Sequence, residues 1–305
     1  MEFVDEPGYR LKLRRANEHL DAINSKARAF VKNNLSGAQP FDPEPEDQWT
    51  ILRHGYVEPL SPLWGTYLGD FIHNARSALD NLVCAMIRLN DPSHGVEHAY
   101  FPAYDGRKQW VSEIVNRNRE IDRLAPTDGV SDAVLASIER SQPYHITGVS
   151  MSRTPMMMLQ AASNTDKHQT IHATTARIAG PREVIPGVKI PRGNLRIVPS
   201  GYFQIRKQRP AAPGTPIETG AEIGRMKVRT LRMPPPDVQV GVHTHIPMEI
   251  AFSVEAKTAE MTHWDIWAMI SEAWRIVLRV EHAAGIDVRA LPLPHDEWTW
   301  HPENS

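Results

Sequence analysis

The chain has 305 residues, 41% of them hydrophobic, enough to bury the core of one large domain or two smaller ones. Its formal net charge of −2 excludes a bulk attraction to nucleic acid or anionic membranes, though not a local basic groove. The single cysteine, Cys84, excludes an intrachain disulfide and a cysteine-rich zinc module, and fits a reducing cytoplasm.

In chain order, MEFVDEPGYR is acidic and lacks the apolar centre of a signal peptide. The stretch from Tyr9 to Gly37 reads as a helix, because Leu13, Ala16, Leu20, Ile23, Ala27 and Phe30 recur at alternating steps of three and four. AQPFDPEPEDQ is acidic and proline-rich and reads as a loop. WTILRHGYVEPL reads as a strand or short hairpin, and the segment from Ser61 to Asn90 as a second long helix with Pro62 in its first turn. Shorter helices are predicted near 107–118 and 131–140, and another across TPMMMLQAASNTDKHQTIH, whose methionines suit the space between helices.

After about residue 173 the hydrophobic period changes to two. In VQVGVHTHIPMEIAFSV, Val238, Val240, Val242, Ile246, Met248, Ile250, Phe252 and Val254 fall on one face of a half-buried strand or strand pair. A last helix opens at Thr262, three residues before Asp265 as in a capping box, and stops at Gly285. No run approaches the roughly 20 apolar residues of a membrane span. The fold class expected is α+β: a helical bundle with an antiparallel β section inserted before a C-terminal helix. Residues 1–172 form the helical domain with 261–285 packing back on it, 173–258 the β-rich section, and 286–305 a C-terminal tail.

The second helix carries an unusual polar stripe. Asp70, His73, Asn74, Arg76, Ser77, Asp80 and Asn81 share an arc of roughly 160° at 100° per residue. Short, poor helix formers stand where Lys and Glu usually face water, so these groups are expected to meet partners. One reading is a buried hydrogen-bond network that ties helices together. Asn164, Asp166, Lys167, His168 and His172 follow on NTDKHQTIH, and on a continuous helix Asn164, His168 and His172 share an edge that can face the stripe.

GDFIHNARSALDNL, with the later DKH, resembles an uncharacterised bacterial family in which a GDxxHNxRSALDHL helix precedes a DKHR segment. The pattern of Arg, four residues and His is also similar to the signature of the HEPN superfamily. That resemblance implies a helical bundle and, in many members, a metal-independent ribonuclease of toxin or antiphage systems, whose Arg and His meet at a dimer cleft. Arg76 matches the arginine, but Asn81 stands where the His belongs, and an amide cannot act as a general base near neutral pH. His73, one turn before Arg76, or His168 then becomes the candidate acid–base group. Asp70, Asn74, Asp80, Asn81, Asn164, Asp166 and Lys167 are candidate binding residues.

No metal or other cofactor is expected. Two sets come nearest to a metal site: His168 with His172, which lack an HExxH context, and His243, His245 and Glu249, similar to part of a cupin motif without its glycines. Phosphate loops, GxGxxG and GxSxG are absent from the sequence. Cys84 has no evident activating neighbour, and Arg206, Lys207 and Arg209 form a short basic run. The functional expectation is a HEPN-like ribonuclease or degenerate relative in phage defence or stress response. It would be a cytoplasmic protein with RNA or a small polar ligand as partner and a homodimeric cleft. The alternative is a non-catalytic binding or structural module, with a metal-binding protein third.

Overall fold

The computed structural model describes residues 6–35, 38–40, 48–53, 56–116, 125–166, 172–178, 184–189, 195–196, 203–210, 218–231, 239–244, 248–253 and 261–286. Helix α1 (Gly8–Leu35) turns Leu13, Ala16, Leu20, Ile23 and Phe30 inward, the stripe that its periodicity predicts. It packs against α2 (Leu63–Asn90), which buries Leu68, Phe71, Ile72, Ala75, Ala78, Leu79, Leu82, Val83 and Met86. Where the two helices meet, Phe30 and Trp64 pack edge to face with ring centroids 6.3 Å apart.

Helix α3 (Arg107–Trp110) runs into a π-helical turn at Val111–Asn116, and α4 (Asp132–Arg140) starts at the Ser131 cap. Helix α5 (Pro155–Asp166) buries Met156, Met158, Leu159 and Ala162 and packs against α2. Helix α6 (His263–Ala283) touches α1, α2, α4 and α5. Its start is a closed capping box: Thr262 Oγ1 accepts from the Asp265 N–H at 3.4 Å, and the Asp265 carboxylate accepts from the Thr262 N–H at 2.7 Å. Thr262→Ala is expected to lower stability by about 1 kcal/mol, read as a lower thermal midpoint; an unchanged midpoint would remove the cap from the account.

Two short strands, β1 (Ala38–Pro40) and β2 (Thr50–Arg53), precede α2. Seven more lie between α5 and α6: β3 (His172–Ile178), β4 (Val184–Lys189), β5 (Leu195–Arg196), β6 (Phe203–Pro210), β7 (Glu222–Thr230), β8 (Gln239–Thr244) and β9 (Met248–Ser253). They pair antiparallel in the orders β1-β8-β4-β5, β2-β7-β6 and β3-β9. Met226 of β7 is fully buried and belongs to the same apolar cluster as the helices, and Val57 N donates to Thr219 Oγ1 at 3.0 Å.

Four expectations change. The segment read wholly as a loop contributes β1, which pairs with β8. The helix through NTDKHQTIH ends at Asp166, and His172 opens β3 instead; the β-branched Thr174, Thr175 and Ile178 that follow favour the extended chain. The stretch read as one face from Val238 to Val254 is two strands in different sheets, with Pro247, which has no ladder donor, between them in sequence. The helix near 107–118 changes to π winding at Val111. Residues 287–305, which include most of the expected tail, lie outside the described residues.

Candidate functional site

The polar stripe of α2 divides into a buried half and a wet half. Arg76 is 7% exposed and Asp80 half-buried, whereas Asp70, His73 and Asn81 are exposed. Asn74 is half-buried and donates its amide to the Asp70 carbonyl at 2.7 Å, a bond within its own helix. Ser77 is also half-buried.

Arg76 and Asp80, one turn apart, grip a single residue of the chain that follows α2. Arg76 Nη2 donates to the Phe101 carbonyl at 2.5 Å, and Asp80 Oδ1 accepts from the Phe101 N–H at 2.9 Å. The circuit closes through the ion pair, with Arg76 Nη2 2.9 Å from Asp80 Oδ1. Gln142, fully buried just past α4, repeats the device on the next residues. Its Nε2 donates to the Pro102 carbonyl at 2.9 Å and its Oε1 accepts from the Tyr104 N–H at 3.0 Å. Side chains from two helical regions thus supply the bonds that a neighbouring strand would give, and this lets Phe101 and Tyr104 enter the core with their backbone satisfied. Burial lowers the Arg76 pKa from its ordinary value, opposed by the charge of Asp80. Arg76 Nη1 is buried without a hydrogen-bond partner.

The second predicted cluster does not meet this one among the described residues. Helix α5 lies against α2, but Asn164 is exposed and accepts from Gln160 within its own helix at 3.1 Å. Asp166 is the last residue of α5, while Lys167 and His168 lie outside the described residues. The i, i+4 helical geometry drawn for His168 and His172 does not hold, since His172 starts β3. His243 is on β8 and Glu249 on β9, in different sheets, so they do not share one strand; His245 lies outside the described residues. No group of three His, Cys, Asp or Glu is placed to hold a metal among the described residues. Cys84 is half-buried and burial raises its thiol pKa, the opposite of activation.

Phe101 and Gln142 carry half of the site, and nothing in the sequence pattern marks them. Both lie outside regular helix or strand, where no hydrophobic period exists to flag them. No helix among the described residues is long and apolar enough to cross a membrane. Compared with known proteins, the chain matches no protein-family model, no curated protein and no solved structure.

Proposed function

We propose that this protein is a non-catalytic binding or structural module, and that the polar stripe of α2 is a structural clamp. The observation that carries the reading is the state of Arg76: buried, ion-paired to Asp80 and spent on the Phe101 carbonyl. A phosphate-binding arginine presents its fork to the ligand, and this one presents it to the protein's own backbone. We further read the strands β3 to β9, joined by β1 and β2 from before α2, as one β section that the helical bundle supports.

One observation favours the HEPN-like ribonuclease instead. Arg76 Nη1 is an open, buried donor, and the exposed His73 stands one turn before it on α2. The two readings separate on one experiment: purified protein with labelled RNA in EDTA, comparing wild type, Arg76→Ala, His73→Ala and Asn81→His. The structural reading expects no cleavage by any form and a clear stability loss only for Arg76→Ala. Cleavage by wild type that disappears in His73→Ala, with the fold intact, would establish the ribonuclease and end the structural reading.

A further inference from the structure

The basic run around Arg206, Lys207 and Arg209 gains a second half when the chain folds. Strands β6 and β7 pair so that Arg209 stands opposite Arg225, Lys207 opposite Lys227, and Gln204 opposite Arg229. Directly opposed residues of an antiparallel pair share a face. Gly224 and Met226 are buried and mark the inner face of β7; the alternate positions Arg225, Lys227 and Arg229 are therefore on the outer face, with Arg225 and Arg229 exposed and Lys227 half-buried. On the other side of β7, Ile51 of β2 stands opposite Arg225 and is 41% exposed. Trp49, two residues earlier, meets this face: the Arg209 guanidinium is 4.8 Å and Lys227 Nζ 5.5 Å from its ring centroid.

This arrangement works against the sheet. Like charges directly opposite on neighbouring strands destabilise it, and Arg209 stands directly opposite Arg225. Glu222 holds Arg225 at 2.6 Å, and Glu218 is exposed on the preceding turn. A chain of net charge −2 has no general excess of cations that would place them here by default. A polyanion laid across the face would relieve the repulsion, and an aromatic ring among the cations adds a surface on which a base can stack.

We propose that the outer face of the β2-β7-β6 sheet binds single-stranded nucleic acid, with Trp49 under a base and Arg209 and Lys227 along the phosphates. A duplex keeps its bases stacked on each other and away from a ring on a flat sheet, so the stacking contact selects an unpaired strand. The inference stands apart from the role of Arg76, which lies on α2.

The test uses the full chain and fluorescein-labelled oligo(U) and oligo(dT) of roughly 20 nucleotides, with anisotropy read between about 50 and 200 mM salt. Wild type is expected to bind, with affinity falling as salt rises. Arg209→Gln with Lys227→Gln should weaken binding at least about tenfold and flatten the salt slope by about 1.4, two phosphate contacts on a single strand. Trp49→Ala should weaken it about five- to hundredfold with the slope kept, and Trp49→Phe should retain most of it. Glu222→Gln, which frees Arg225, should bind several times tighter, a gain that misfolding cannot imitate. Three outcomes overturn the proposal: no binding at the lowest salt, equal binding by wild type and the double variant, or duplex binding as tight as single strand with Trp49→Ala unaffected. The last would mark a general polyanion surface.

Discussion

Glu281→Ala is expected to cost about 3–5 kcal/mol, most of the stability of a marginal fold, read as a lower midpoint of guanidinium unfolding. Glu281 is fully buried near the end of α6, and its carboxylate accepts from Arg10 Nε at 2.7 Å, Arg10 Nη2 at 2.5 Å and the Tyr9 hydroxyl at 2.7 Å. Arg10 and Tyr9 are on the first turn of α1, so this joint fastens the first described helix to the last. Removing the carboxylate leaves a guanidinium at 1% exposure without the ion that its fork grips. Burial and the neighbouring carboxylate hold the Tyr9 phenol well above its ordinary pKa, so in the intact joint it stays a neutral donor to Glu281. The triple change Arg10→Met, Tyr9→Phe and Glu281→Leu is expected to recover most of the loss, because a well-packed apolar joint avoids the desolvation of both ions. A single-variant loss below about 1 kcal/mol would mean that water reaches the pair and the joint is weaker than its geometry indicates.

That joint was readable in the sequence, from a feature that a period analysis passes over. Arg10 continues the apolar stripe Leu13, Ala16, Leu20 by one step of three, and Glu281 continues Ile270, Trp274 and Val277 by a step of four. A charge on the core face of each of two helices is a signal that the faces meet and the charges pair. The helices α1, α2 and α6 follow their stripes, and the capping box at Thr262 is where the sequence places it. The β register was not legible, because pairing is set by partners far away in sequence: β2 finds β7, and β1 finds β8. The same distance hid the basic face, since Arg209 and Arg225 belong to separate short runs until the strands pair. Of the polar stripe only the Arg76–Asp80 half is withdrawn from water; Asp70, His73 and Asn81 face outward, so short polar side chains on a helix do not by themselves mark burial.

Arg76→Ala is expected to lower stability by about 2–4 kcal/mol, because it strips a bond from the Phe101 carbonyl and leaves Asp80 without its counter-ion. Asp80→Ala should cost at least as much, about 2–4 kcal/mol, since it leaves the enclosed Arg76 guanidinium without its counter-ion, whereas an orphaned Asp80 keeps contact with solvent. The two losses should not add: both side chains hold the same peptide unit, so a double-mutant cycle should return a coupling of about 1 kcal/mol or more. Lysine at 76 keeps the charge but not the planar fork, and it should restore only part of the loss. Amide exchange separates this clamp from a general packing effect. The Phe101 N–H is bonded to Asp80, and the Tyr104 N–H to Gln142, so Asp80→Ala should speed exchange at Phe101 far more than at Tyr104, and Gln142→Ala the reverse. Equal acceleration at both amides in both variants would mean that the segment opens as one unit and that the paired clamps do not act separately. A zero coupling between Arg76 and Asp80, with Arg76→Ala still folded and stable, would free the arginine from its structural role and return it to the list of groups available to a ligand.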